Sequence, residues 1–222
     1  MDKVNGKKVR HGLGVMIYSS GRIYEGSWVN DRRDGLGYER HANGNVYKGY
    51  FVNGKANGQG TYKWANGEEY TGNWLMNQKH GYGVWKGNKG EVYEGEWDHG
   101  KANGEGMYLW RNGDRYTGTW KNCLKDGYGK DTFANGDVYE GHYKKGNPEG
   151  KGTYRWKSGA FYNGEFQKGL KHGSGVWRKG VHQDMNKDTY YKGKYKDDLK
   201  NGKGEFHWAS GNVYRGHFKN DK

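Results

Sequence analysis

The chain has a single cysteine, Cys123, among its 222 residues. No disulfide can form within it, and a reducing compartment is the simple expectation. No apolar run approaches the roughly 18–20 residues that a spanning helix needs, and residues 1–10 hold no apolar signal core. These absences point to a soluble, cytoplasmic protein. Proline appears once, and hydrophobic residues make up only 32% of the chain. Chemistry-bearing clusters are missing too. The nine histidines do not gather with Cys or Asp at ligand spacing, and a lone cysteine with scattered histidines is no nucleophile constellation. Glycine-rich stretches occur, but none opens a helix as a phosphate loop does. The expectation is no enzyme, no cofactor and no metal.

What is abundant is glycine, at 42 residues, and aromatics, at 16%. Low aliphatic content with many glycines usually means disorder, but disordered chains are poor in rings. The combination therefore implies order built on aromatic surface. Seven tyrosines stand 23 residues apart: Tyr24, Tyr47, Tyr70, Tyr93, Tyr116, Tyr139 and Tyr162. The series resumes at Tyr191 and Tyr214 after a six-residue insertion. Such a period is the signature of a repeat array.

With the periodic tyrosine as position 1, position 3 is always glycine and position 5 always aromatic, as in Tyr24-x-Gly26-x-Trp28 and Tyr93-x-Gly95-x-Trp97. Positions 12 and 14 are glycines, as in Gly104 and Gly106, and positions 16 and 18 are often rings. Alternation of period two predicts two short strands per repeat, with positions 1, 3 and 5 on one face and 12, 14, 16 and 18 sharing a face. The first turn falls around residues 53–57 in repeat two. The second is Asn-Gly, as at Asn66-Gly67, a strong hairpin signal. Rings lying over bare glycine backbone would replace a conventional core, and this framework absorbs 30 of the 36 aromatics.

The run Tyr93-Glu94-Gly95-Glu96-Trp97 … Gly104-Glu105-Gly106 … Asn112-Gly113 resembles the MORN repeat (membrane occupation and recognition nexus). The resemblance covers Gly12 to Phe218, with residues 1–11 as an N-terminal segment and the array over 12–222. It comprises eight full repeats from Tyr24, a half repeat at each end, and a loop insertion at 180–190. It implies an all-β fold: an elongated, twisted, single-layer antiparallel meander of β-hairpins without helices of note. At about 4.8 Å per strand, some 18 strands would make a rod on the order of 80–90 Å long. Relatives in ciliary radial spokes, protist cytoskeletons and membrane-contact proteins imply a non-enzymatic scaffold in a cytoskeletal or ciliary assembly, its protein partners being acidic segments or a helix lying along the sheet. The family name suggests an alternative, an adaptor for acidic phospholipids.

Charge is uneven. Residues 1–138 carry 20 Lys+Arg against 16 Asp+Glu, whereas residues 139–222 carry 18 against 9. On the face opposite positions 1, 3 and 5, repeat four shows an acidic stripe, Glu94, Glu96 and Asp98. Repeat eight shows a basic one, Lys192, Lys194 and Lys196, continued by Arg215, His217 and Lys219. The basic end either docks an acidic protein surface or is simply solvated. Six aromatics fall outside the framework: Tyr38, Tyr50, Tyr82, Tyr128, Phe161 and Tyr190. Exposed rings are favoured interface anchors, but their scatter argues against one compact patch. Nucleic acid is not expected, because the rings already have packing roles. The apolar edge Val15-Met16-Ile17-Tyr18 leaves homo-oligomers through sheet edges open, unless residues 1–10 protect it. Asp131 stands where repeat five should have a ring, predicting a thinner aromatic layer there, as a bend, a docking notch or tolerated drift. Asp184-Met185-Asn186-Lys187-Asp188 opens like a calcium loop but lacks the required glycine and glutamate, so a longer hairpin loop is the reading.

Overall fold

The computed structural model describes residues 2–4, 7–180 and 188–222 and divides into two compact units, Met1–Arg111 and Asn112–Lys222. In the first, β1 (Asp2–Val4) and β2 (Lys7–Val9) form a two-stranded sheet. The meander of that unit runs through β3 (Gly12–Ile17), β4 (Ile23–Val29), β5 (Arg32–Arg40), β6 (Val46–Val52), β7 (Lys55–Lys63), β8 (Glu69–Leu75), β9 (Gln78–Lys86), β10 (Val92–Asp98) and β11 (Lys101–Leu109). The second unit comprises β12 (Arg115–Lys121), β13 (Leu124–Thr132), β14 (Val138–Lys144), β15 (Asn147–Arg155), β16 (Phe161–Gln167), β17 (Leu170–Arg178), β18 (Tyr190–Lys196), β19 (Leu199–His207) and β20 (Val213–Phe218). Within each meander every strand pairs antiparallel with its sequence neighbours, for example β8 with β7 and β9 or β18 with β17 and β19. No helix occurs among the described residues. The fold is the all-β, single-layer antiparallel meander that the repeat pattern implies.

The core is one face of the sheet. The position-1 tyrosines from Tyr24 to Tyr191 are at most 2% exposed. Each meets the position-5 ring of its own repeat edge-on and, wherever the partner lies in the same unit, that of the next. Tyr70 sits between Trp74 and Trp97, with centroids 5.1 and 5.4 Å away and planes at 86° and 82°. Tyr162 sits likewise between Phe166 and Tyr195. Edge-to-face pairs add about 0.5–1.5 kcal/mol each beyond burial, so the zipper binds repeat to repeat.

Beneath each ring lies a glycine pair. Gly72 faces Gly83 across β8 and β9, and a Cβ at Gly83 would come 2.5 Å from Tyr70 Cζ. The same register recurs at every pairing, so positions 3 and 14 make an unbroken glycine row across each unit, from Gly14 to Gly106 and from Gly118 to Gly216. The hydroxyl explains why position 1 is tyrosine rather than phenylalanine. Tyr70 Oη donates to the carbonyl of Asn73 at 2.9 Å, and all nine periodic tyrosines donate to the carbonyl three residues on. That carbonyl lies beside a β-bulge, where the ladder cannot supply a partner.

The bulge corrects the expected role of position 12. Gly49 faces Gly60, but Phe51 faces Ala56; one residue separates the first pair of sites and three the second. The extra residues include Gly58 at φ +75° and, two repeats later, Gly104 at φ +94°. These glycines are required by left-handed backbone, not as a floor under a ring. A Cβ at Gly104 would run into the Glu96 carboxylate on the opposite face. The buried position beside the position-5 ring is instead position 10, as with Ala56 and Ala102.

The turns also differ from expectation. The tight two-residue turns are at positions 7 and 8, where both residues take positive φ, as at Asn53-Gly54 and Met76-Asn77. The Asn-Gly at positions 20 and 21 sits in a five-residue loop, 64–68 in repeat two, closed by Trp64 N–H to Glu68 O at 2.9 Å. There Asn66 Oδ1 accepts from Glu68 N–H at 3.1 Å, an Asx turn that explains the asparagine.

Position 10 alternates. It is Arg33, Ala56, Lys79, Ala102, Lys125, Pro148 and Lys171 in repeats one to seven, which gives a second period of 46 residues. Cations there lie over ring faces: Lys79 Nζ is 3.8 Å from the Trp97 centroid, and the Arg33 guanidinium 4.9 Å from Phe51. Arg10 occupies the equivalent place, 4.4 Å over Trp28.

Repeat five loses a ring at Asp131, as the sequence predicts, but no notch is left open. Asp131 is 6% exposed. It accepts from Lys125 Nζ at 2.6 Å and from Tyr143 Oη at 2.6 Å. Glu39 fills the same position in repeat one, 6% exposed and paired with Arg33 and Arg22. In both repeats a buried ion pair with the position-10 cation takes the place of a ring. Most of the insertion, including Asp184 to Lys187, lies outside the described residues; Asp188 accepts from Arg178 at 2.7 Å.

A candidate trough on the outer face

The glycine row has two sides. On the core side rings cover it. On the other side there are no side chains to cover it, so the backbone forms the floor of a trough. Residues at positions 2 and 15 make one wall and those at 4 and 13 the other. Its composition differs between the units.

In the second unit the trough is basic. A concavity of about 750 Å³ is floored by Gly175, Gly193, Gly204 and Gly216, with Lys192, Lys194, Lys203 and Arg215 on its walls. The one wall carboxylate, Glu205, is already engaged. Hydrogen bonds from Arg215 and then His207 hold it down at about 2, with Arg215 Nε 3.0 Å away. Lys194 Nζ donates to Ser174 Oγ at 2.8 Å. Among the described residues no carboxylate is within ion-pair distance of Lys192, Lys194 or Lys203. The trough thus presents three unneutralised ammonium groups over bare backbone.

In the first unit a concavity of about 730 Å³ lies over Gly14, Gly26 and Gly37. Its walls are mostly apolar: Leu13, Val15 and Leu36 are 86%, 62% and 57% exposed, and Tyr38 stands beside them, with Glu25 and Lys48 the charged members.

The sequence-derived candidates divide accordingly. Lys192, Lys194 and Arg215 line the basic trough, together with His217. Lys203, which the stripe of positions 2, 4 and 6 does not include, joins them from the adjoining strand. Lys196 and Lys219 are exposed at strand ends, away from it. The acids of repeat four are committed to neighbours within the chain. Glu94 accepts from Tyr82 Oη at 2.6 Å, Glu96 lies against the Gly104 bulge, and Asp98 meets two histidines. Four of the six scattered aromatics lie on the outer face of their own unit. Tyr38, Tyr50, Tyr82 and Tyr128 all stand at wall positions of the trough, because positions 4, 13 and 15 face the same way despite unequal sequence spacing. Tyr82 and Tyr128 reach diagonally across the glycine row to Glu94 and Glu140, and those hydrogen bonds raise both phenols above their ordinary value. Phe161 instead lies between Arg155 and Arg178, and Tyr190 stacks on His207 at 4.2 Å.

The expectation that no histidines cluster with acids is corrected. His80, Asp98 and His99 bring one donor atom each to within 4.8 Å of one another. Their separation in sequence hides this, because the β9–β10 pairing folds position 11 of one repeat against positions 6 and 7 of the next. No helix among the described residues is long and apolar enough to cross a membrane.

The family profile of the MORN repeat matches residues 7–21, 24–46, 47–69, 70–92, 93–115, 116–138, 139–161, 162–180 and 191–213. No curated protein sequence matches the chain. Among solved structures, the SAS-4 (dCPAP) TCP domain of Drosophila melanogaster, solved with a proline-rich motif of Ana2 (dSTIL), is 12% identical, covering 80% of this chain and 91% of that one at a TM-score of 0.41. The E1021V mutant of the TCP10 domain of Danio rerio CPAP is 11% identical, covering 90% and 91% at a TM-score of 0.33.

Proposed function

The chain belongs to the MORN repeat family, whose repeats suggest a scaffold or interaction module, and on that footing we propose that it is a non-enzymatic scaffold whose basic trough binds an acidic protein segment. The observation that carries this reading is the set of Lys192, Lys194 and Lys203, unneutralised beside a glycine floor that lets an extended chain approach the backbone. Charge complementarity supplies register and a fast encounter. The glycine floor admits a strand or turn without steric conflict. The setting we propose is a cytoskeletal or ciliary assembly, on the strength of the contexts in which such repeats occur. The second reading is docking on acidic phospholipid, for which the same lysines speak.

The test uses the full chain against a glutamate-rich peptide and, separately, against vesicles of phosphatidylserine or of phosphatidylcholine. The triple variant Lys192→Glu, Lys194→Glu, Lys203→Glu is compared with Lys55→Glu, Lys101→Glu, Lys121→Glu, which changes charge equally at exposed sites elsewhere. The scaffold reading expects peptide binding that the trough variant loses and the control retains. Equal loss in both variants discards the trough. Vesicle binding without peptide binding replaces the protein partner with lipid.

A further inference from the structure

We propose that His80, Asp98 and His99 form a site for a borderline divalent transition ion, with zinc the type case, between repeats three and four. His80 lies in the bulge of β9, Asp98 ends β10, and His99 opens the following turn at φ 46°. His80 Nδ1 is 3.5 Å from Asp98 Oδ1, and His99 Nδ1 is 2.6 Å from the same oxygen. The two imidazoles stand 5.9 Å apart, nearly perpendicular.

Two further observations point to a ligand. The first is that His80 Nδ1 is turned away from solvent and has no hydrogen-bond partner. A shielded polar nitrogen left unpaired is costly and rare. An acidic residue at position 11 ties neighbouring repeats together. Asp34, Asp126 and Glu149 accept the position-7 N–H of the next repeat, at 3.1, 3.1 and 2.9 Å. With histidine there, Nδ1 faces Asp98 instead. The second is geometric. Tetrahedral zinc with bonds of about 2.0–2.2 Å sets its ligands roughly 3.3–3.6 Å apart. The His80–Asp98 separation already matches. The His99–Asp98 contact must open by a little under an ångström, which a turn side chain 70% exposed achieves by rotation. Two imidazole nitrogens and one carboxylate suit zinc, copper or nickel rather than calcium or magnesium, which prefer all-oxygen shells. Three protein ligands leave a fourth position for water or a partner's side chain.

The chain contains its own control. His172 holds position 11 in repeat seven, and its Nδ1 is likewise shielded and unpaired. Asp197 is 3.7 Å away. Lys196, however, stands where Asp98 stands in repeat four, so the third ligand is replaced by a cation.

The experiment is calorimetric titration and thermal unfolding of the full chain with zinc chloride, and with calcium chloride for comparison. Cys123→Ser removes the exposed thiol as a competing ligand. One zinc per chain is expected, with no response to calcium, and a melting temperature higher by a few degrees when zinc is about 100-fold above its dissociation constant. His99→Asn, which tolerates the turn's positive φ, and Asp98→Asn are each expected to weaken binding by about tenfold or more, on the scale of a lost ligand or its support. His172→Gln is expected to leave it unchanged. Acidification weakens binding, because protons compete for imidazole. The absence of stoichiometric binding, or equal weakening by His172→Gln and His99→Asn, overturns the site. His99→Asn, at an exposed turn, keeps the test decisive if Asp98→Asn perturbs folding.

Discussion

Substituting Gly83 by alanine tests the packing unit from which the whole array is built. A Cβ there would lie 2.5 Å from Tyr70 Cζ and 2.6 Å from Cε2, so the ring must leave. It cannot shift by a few tenths of an ångström, because Trp74 and Trp97 hold it from both sides and its hydroxyl is tied to Asn73 O. Displacement forfeits a hydrogen bond and strands a bulge carbonyl, about 1–3 kcal/mol. It also disrupts two edge-to-face contacts at about 0.5–1.5 kcal/mol each and re-exposes part of a ring whose burial is worth about 1.5–3 kcal/mol. These contributions overlap, and a combined loss of about 3–5 kcal/mol is expected. The assay is urea unfolding followed by tryptophan fluorescence. A double-mutant cycle isolates the cause: in a Tyr70→Ala background, Gly83→Ala should cost under about 1 kcal/mol, because nothing remains to be displaced. A single-mutant cost below about 1 kcal/mol, or a cycle showing no coupling, would refute the ring-over-glycine account.

The buried rings and the buried ion pair set two more expected outcomes. Burial pushes the phenols of Tyr24, Tyr47, Tyr70, Tyr139, Tyr162 and Tyr191 up, Tyr24 to about 12. A raised phenol favours the fold while protonated, so its contribution is complete below the free value of about 10 and is lost as pH climbs through the folded value. Stability should therefore fall above about pH 10, with the absorbance of the buried tyrosinates appearing together with unfolding; ionisation of the buried tyrosines without loss of β circular dichroism would contradict it. Lys125→Ala should cost about 2–4 kcal/mol by leaving Asp131 buried beside only Tyr143, while adding Asp131→Tyr, the pairing already used by Ala56 with Tyr62 and by Ala102 with Tyr108, should restore most of the loss in the same urea assay.

The fold is legible in the sequence because the tyrosine, glycine and ring positions recur in one register and each has a packing cause. The bulge is not, since strict alternation assigns Gly58 and Gly104 to the ring face, and only the pairing of Phe51 with Ala56 shows that the chain carries extra residues there. The 46-residue alternation at position 10 stands in the sequence but is masked by the stronger 23-residue period. The candidate site is partly readable. Lys192, Lys194 and Arg215 share one strand parity and so stand out together, whereas Lys203 reaches the same trough from the neighbouring strand. The four wall tyrosines look unrelated because positions 4, 13 and 15 converge only after the hairpin folds. His80 and Asp98 lie far apart in the chain and meet only across neighbouring repeats, a distance no local motif spans.

The alternation of cation and small residue at position 10 restricts how such a chain can change length. Removing one repeat from the regular stretch would set two cation-bearing segments side by side, as Arg10 and Arg33 already stand at the N-terminal end. Removing two would leave every junction as it was. The smallest modular step that preserves the alternation is therefore a pair of repeats, and the alternation stops at both ends of the regular stretch, where Arg10 precedes Arg33 and where Lys200 follows Lys171 across the six added residues.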